Sequence, residues 1–196
     1  MSQDDDAALM LAFQRGDEAA FRLLYERHAR AMVGYCHRYV KDAARAEELA
    51  QDVFVKLYRA AHRYAPSARF KTFLYRVASN LCLNELRRPE RAARPAPAPE
   101  DAPPALDQLA SPGPDPEDVA RGRALERAVE RMLAGLPEKQ RAALVLCRFE
   151  GLSYEEIAQV LDATVPAVKS LIHRATVAAA AALAPFQSTA PEEALS

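Results

Sequence analysis

An all-α fold of two small helical domains joined by a proline-rich linker is predicted by three features of this 196-residue chain. Half of its residues are apolar, with abundant Ala, Leu, Arg and Glu against only six Gly, a balance that suits helices better than a β-sandwich. Apolar residues recur at helical spacing in two blocks, about 1–88 and 117–184. Between the blocks, nine of the fourteen prolines crowd into 89–116 with almost no periodic apolar residue, so this stretch reads as a semi-extended tether. A polar tail, 185–196, is expected to be disordered.

In the first block, Gly16 ends a short helix and Asp17 can cap the next, whose core stripe reads Phe21, Leu24, Tyr25, His28, Met32, Cys36 and Tyr39. A second long helix, about 42–60, carries Ala46, Leu49, Ala50, Val53, Phe54 and Leu57 on one face. Glu47, Glu48, Gln51 and Asp52 cluster near its start and face elsewhere. After the loop 62–69, a third helix runs from Phe70 to about Arg87, with Phe70, Phe73, Leu74, Val77 and Leu81 as its apolar side. Its Arg76, Asn80, Asn84 and Arg87 stand three or four apart and form one polar stripe.

In the second block an amphipathic helix covers 119–133. Pro137, at a first-turn position, opens another that buries Leu144, Val145 and Phe149 and stops at Gly151. Ser153 and Glu156 fit a capping box for a helix carrying Ile157, Ala158, Val160 and Leu161. Thr164 can cap the last helix, where Pro166 is tolerated because first-turn amides lack an intrahelical acceptor.

A near-neutral total charge of −1 hides a strong asymmetry. Residues 1–55 hold 7 Lys/Arg against 10 Asp/Glu, whereas 56–91 hold 9 against 2, a change from −3 to +7. Cys36, Cys82 and Cys147 are scattered through apolar helical patterns without zinc-site spacing, so buried thiols are expected and no metal. The N-terminus is acidic and no apolar run approaches the roughly 20 residues of a membrane span, which places the chain in the cytoplasm without membrane insertion. Phosphate-binding Gly-rich loops, GxSxG and HExxH are all absent, so no catalytic residue and no cofactor are assigned, and an enzyme is excluded.

Two patterns point to nucleic acid. Residues 136–175 have the parts of a helix-turn-helix: two short helices, a tight turn, small Ala158 at the crossing, and a second helix that buries Val168, Ile172 and Ala175. Lys169, Ser170, His173 and Arg174 lie outside that buried side. In the basic stretch 56–91, Tyr58, Tyr64, Phe70, Phe73 and Tyr75 alternate with Arg59, Arg63, Arg69, Lys71 and Arg76. Cations track phosphates and rings stack on bases, as single strands require. Glu47, Glu48 and Asp52 have no His or Cys at ligand spacing and read as a protein-contact surface or a solvated face.

The segment from Phe70 to Asn80 (FKTFLYRVASN), preceded by Gln51-Asp-Val-Phe54 and Tyr58, resembles the second conserved region of the extracytoplasmic-function sigma factors of the sigma-70 family. The segments 136–141, 151–158, 167–170 and 173–175 are similar to that family's fourth region, on the far side of the linker. The resemblance implies a dissociable specificity subunit that directs core RNA polymerase to promoter DNA and assists promoter opening. Its contacts would be the beta-prime clamp and the beta flap. It also implies an anti-sigma partner. By position, Glu47, Glu48, Gln51 and Asp52 fall where the family meets the clamp. Tyr64, Ala65, Arg69, Phe70, Lys71, Phe73, Arg76 and Asn80 fall on the minus-10 reader, and Val165, Ala167, Lys169, Ser170, His173 and Arg174 on the minus-35 reader.

Four positions depart from the family pattern. Phe73 stands in place of Trp, Pro166-Ala167 in place of Gly-Thr, and Leu171 where Arg is common. An alternative of another class is a helix-turn-helix regulator that binds palindromic duplex as a dimer without polymerase. Either way, the linker is expected to let the two blocks move independently.

Overall fold

The computed structural model describes residues 4–66, 69–87 and 116–187. The first block comprises α1 (Asp4–Gln14), α2 (Glu18–Val40), α3 (Ala43–Ala60), a 3-10 turn (Ala61–Arg63) and α4 (Phe70–Leu86). The second comprises α5 (Pro116–Gly135), α6 (Glu138–Arg148), α7 (Tyr154–Leu161) and α8 (Val165–Gln187). No strand occurs among the described residues. Of the expected linker only Pro116 is described, as the first residue of α5; the rest of that segment and tail residues 188–196 lie outside the described residues.

Local chemistry sets the helix ends. Gly16 turns the chain at φ +100°, a region open to glycine at no steric cost, and the Asp17 carboxylate accepts from the amides of Ala19 (3.0 Å) and Ala20 (3.3 Å) to start α2. Asp42 starts α3 in the same way through Arg45 N–H at 2.9 Å. The Gln14 amide donates to the carbonyls of Ala61 (2.6 Å) and Tyr64 (2.7 Å), which fastens the end of α1 to the turn before α4.

All six residues expected on the apolar face of α3 are buried. On α2 the expectation holds for Leu24, Met32, Cys36 and Tyr39 but not for Tyr25, which is 43% exposed, and it omits the fully buried Tyr35. His28 is half-buried and bonded to Asp6 at 2.8 Å. The reason is the length of α2: its 23 residues pass under α1, α3 and α4 in turn, so the buried arc shifts along the helix.

α4 is buried over more of its circumference than its hydrophobic residues indicate. Thr72, Tyr75, Ser79 and Glu85 are buried beside Phe70, Leu74, Ala78 and Cys82, whereas Phe73, Val77 and Leu81 are half-buried. Each buried polar group needs a partner. Tyr35 Oη lies 2.7 Å from Ser79 Oγ and 2.8 Å from Tyr39 Oη, and burial raises the phenol pKa of both tyrosines. Glu85 accepts two bonds of 2.8 Å from the Arg45 guanidinium, the paired fork geometry that makes such bonds strong. Cys36 and Cys82 are buried thiols in contact at 3.7 Å, and Cys147 is half-buried.

In the second block Pro137 is the N-cap of α6 rather than a member of its first turn. Arg141 reaches back to the carbonyls of Ala134 (2.9 Å) and Leu136 (3.4 Å) and so serves the end of α5. The chain leaves α6 through Gly151 at φ +67°. Phe149, expected in the core, is 44% exposed, because α6 ends one residue before it. Ser153 Oγ accepts from Glu156 N–H at 3.2 Å while Glu156 Oε2 accepts from Ser153 N–H at 2.8 Å, completing the predicted capping box. Asp162 in the left-handed region (φ 49°) ends α7, and Thr164 Oγ1 accepts from Ala167 N–H at 3.3 Å to open α8.

α8 runs through Pro185 to Gln187, so the first residues of the expected tail are helical. The proline removes one amide donor only two residues from the helix end, beside exposed backbone. Contrary to the sequence expectation, Val165–Phe186 reaches the length and composition of a membrane span, with mean hydropathy 1.2. Its apolarity comes largely from an alanine run, and its first half carries exposed Lys169, His173 and Arg174 beside packed Val168 and Ile172, the pattern of a surface helix on a small core.

The two blocks also touch: α7 packs on α4, and the end of α2 approaches α5. Leu49 and Ser153 separate two kinds of stabilisation, tertiary burial and local capping. Urea denaturation should show Leu49→Ala losing about 2–5 kcal/mol and Ser153→Ala about 1 kcal/mol. Exposed Glu47→Ala should stay within about 0.5 kcal/mol of the parent.

Candidate nucleic-acid and polymerase interfaces

Three surfaces gather the residues singled out in the sequence. The first is the outer face of α8. Val168, Ile172 and Ala175 are buried against α6 and α7, and Ala167, Lys169, Ser170, His173 and Arg174 are exposed on the opposite side, with Val165 half-buried at the start. Arg174 Nε donates to Ser170 O at 3.2 Å, which lays the guanidinium along the helix surface. Ala158, 8% exposed, is the small residue on α7. An exposed polar helix face on a tight two-helix support is what entry into a major groove requires.

The second surface is α4 with the loop before it. Arg76 and Asn80 are exposed one turn apart, continued by Asn84 and Arg87, and the Arg76 guanidinium lies 5.6 Å from the ring centroid of half-buried Phe73. Ala65 and Arg69 are exposed in the loop; Ser67 and Ala68 lie outside the described residues.

The expected row of stacking rings is not present as such. Phe70 is fully buried and Tyr64 is 6% exposed, packed edge-on to each other at 6.3 Å, because both are needed to seal the end of the core beneath α1. The Tyr64 hydroxyl is buried without a hydrogen-bond partner, and its desolvation raises the phenol pKa. Tyr75 is buried as well. Phe73 is the ring left at the edge of the polar stripe, while Tyr58 faces the α3 side and packs on Phe13 (4.8 Å) and Phe21 (5.2 Å). Interleaving in sequence therefore overstated the stacking surface: a ring at the interior side of a helix is spent on packing, whatever its neighbours in the chain.

The third surface is the outer face of α3. Glu47, Glu48, Gln51 and Asp52 are all exposed there, and Glu48 pairs with Arg45 at 2.5 Å. Beside them lies an open apolar groove that sequence reasoning missed, lined by Phe21, Tyr25, Phe54, Val55, Tyr58 and Gln51. Val55 and Tyr58 are 45% and 49% exposed. The available signal was that these two fall off the buried stripe of α3, where a solvated helix would carry polar residues. Large exposed apolar side chains with a charged rim mark a protein-docking surface.

A small bundle with an acidic, partly apolar face and a basic face on adjoining helices, linked to a helix-turn-helix, defines a helical DNA-binding protein that also docks on another protein. Residues 24–92 match the family described as Sigma-70 region 2, and residues 126–177 match Sigma-70, region 4. The chain is 38% identical over 192 residues to the RNA polymerase sigma-H factor of Pseudomonas aeruginosa, covering 95% of this chain and 97% of that one. It is 35% identical over 176 residues to the ECF RNA polymerase sigma-E factor of Escherichia coli, covering 87% and 90%. In fold it is similar to CnrH solved in complex with the cytosolic domain of CnrY, with a TM-score of 0.65 at 23% identity over 95% of this chain and 99% of that one. The chain belongs to the extracytoplasmic-function sigma factors of the sigma-70 family, the factors that direct RNA polymerase to promoters at transcription initiation.

Lys169 and Arg174 are exposed cations on α8, so their part in duplex binding is open to test by salt dependence. Lys169→Ala and Arg174→Ala should each weaken duplex binding and flatten the slope of log affinity against log salt by about one. Fluorescence anisotropy on a labelled duplex over a salt series reads both. An unchanged slope in both variants would remove these residues from the interface.

Proposed function

We propose that this chain delivers core RNA polymerase to its promoters by dividing the work among the three surfaces. The outer face of α3 docks on the clamp of the polymerase: Glu47, Glu48, Gln51 and Asp52 supply charge for a basic partner surface, and the apolar groove beside them supplies buried area. The observation that carries this reading is that groove. A helix-turn-helix protein acting alone has no need of an acid-rimmed apolar surface on a separate domain.

α8 reads duplex at minus-35 through Lys169, Ser170, His173 and Arg174, and α6 to α8 face the flap of the polymerase. With Pro166, Ala167 and Leu171 replacing the usual residues, base discrimination falls on Lys169, His173 and Arg174. α4 handles the opened strand at minus-10. Asn80 and Arg76 lie on its exposed face, next to the ring of Phe73, and Ala65 and Arg69 flank the loop where a flipped base is held. Flipping costs a few kcal/mol of unstacking, which hydrogen bonds and contact with the pocket must offset.

No bond is made or broken by the chain itself in this reading; the chemistry belongs to the polymerase. The factor works in the cytoplasm, and its exposed α3 groove is a surface that an anti-sigma partner would cover. A solved sigma factor of similar fold, RpoE of Bartonella quintana, was co-crystallised with the anti-sigma factor NepR.

Reconstitution tests the reading. The purified chain with core polymerase and promoter fragments should yield promoter-specific transcripts; if it neither co-purifies with core nor supports a transcript, the reading fails. Val55→Glu, at an exposed groove position, should lower core affinity by about tenfold or more, roughly 1.4 kcal/mol, with helix content retained. Asn80→Ala should leave promoter binding near normal but abolish permanganate reactivity of the minus-10 thymines, whereas Lys169→Ala should weaken upstream duplex protection.

A further inference from the structure

α1 precedes residues 24–92, the part that matches the family's region 2, yet it reaches the loop assigned to the flipped base. Its last residue, Gln14, makes the connection. The two N–H groups of the Gln14 side-chain amide are divided between two carbonyls, Ala61 O at 2.6 Å and Tyr64 O at 2.7 Å. Ala61 O also accepts from Tyr64 N–H at 2.9 Å, the bond that closes the 3-10 turn. One side chain therefore holds both ends of that turn, and Ala65 is exposed immediately beyond it.

Gln14 has a fixed support. Asp6, two turns earlier on α1, pairs with Arg27 at 2.7 Å and His28 at 2.8 Å on α2, and Met10 is fully buried. Tyr64 carries the constraint onward. Its ring lies 5.3 Å from that of Phe73, which in turn lies 5.6 Å from the Arg76 guanidinium.

Gln14 is itself exposed, so removing its amide lets water reach the two carbonyls and orphans no buried acceptor. The helices then keep their packing, and what is lost is the fixed backbone of the loop entrance. A recognition pocket discriminates only while its walls are held in place, because a wall that shifts accommodates a wrong ligand nearly as well as the right one.

We infer that Gln14 is a positioning residue for strand recognition: its amide holds the backbone from Ala61 to Ala65 in the shape that selects the captured base, without touching the DNA. α1 thereby joins the minus-10 reader as its support. The role in base selection rests on the reading of this loop as the place where a flipped base is held; the two bonds of Gln14 do not.

The test uses core polymerase reconstituted with the full-length chain and a promoter fork whose minus-10 segment is single-stranded. Fluorescence of 2-aminopurine identifies the unstacked position, and each of the four bases is then placed there in turn. Gln14→Ala should lower the ratio of best to worst base affinity about three- to tenfold, with upstream duplex affinity and helix content unchanged. Gln14→Glu keeps the size of the side chain but has no N–H to donate, and it should lower the ratio as much; its charge weakens all four forks alike and cancels in the ratio. Asp42→Ala removes the α3 cap, a local hydrogen bond far from the loop, and should leave the ratio at the parental value.

A parental ratio in either Gln14 variant overturns the inference, and so does an equal loss in Asp42→Ala, which would make the effect one of general stability. If the parent holoenzyme binds the fork without preferring any base at the unstacked position, the reading of the loop has failed and the role of Gln14 falls with it.

Discussion

The arrangement rests on α4, which has to satisfy three surfaces with one helix. Phe70, Leu74, Ala78 and Cys82 point into the core formed with α2 and α3. Thr72 and Tyr75 point to the second block, and Arg76 and Asn80 are left to solvent. A helix turning once every 3.6 residues has room for three such faces only if each is narrow. This is why polar side chains are buried here. Ser79 and Glu85 lie at the borders of the core face and are matched by Tyr35 and by the fork of Arg45, so the borders stay dry without leaving a donor or acceptor orphaned.

From that constraint the electrostatic layout follows. α3 exposes Glu47, Glu48 and Asp52, and α4 exposes Arg76 and Arg87, so one small bundle presents two fields of opposite sign to two kinds of partner. A basic protein surface and a polyanion are thereby kept from competing for the same helix. The acidic residues of the second block complete the pattern, since Glu138, Glu150 and Glu156 all meet arginine or lysine of the first.

Much of this was legible because it is local. The face of α3, the Asp17 cap, the Ser153 and Glu156 box and the polar stripe of α4 depend on residues within a turn or two of each other, where helical spacing decides which side chains meet. The exposed face of α8 was legible for the same reason. Long-range packing was not. Whether Tyr25 or Tyr35 is interior depends on which helices cross α2 at each level, and whether Phe70 and Tyr64 are stacking rings or core depends on where α1 closes the bundle. No spacing rule carries that information.

The sequence by itself determined the helical class, the helix boundaries to within about three residues, and the motifs that place the chain among the sigma factors, because each is written in neighbouring residues. Tertiary structure alone decided that Val55, Tyr58 and Tyr25 form an open groove beside the acids of α3, and that α7 sits on α4 with Glu150 and Glu156 against its cations. Both depend on bringing together residues that lie dozens of positions apart. The physical cause is the burial of apolar area between helices, which has no direction along the chain and therefore leaves no local trace in it.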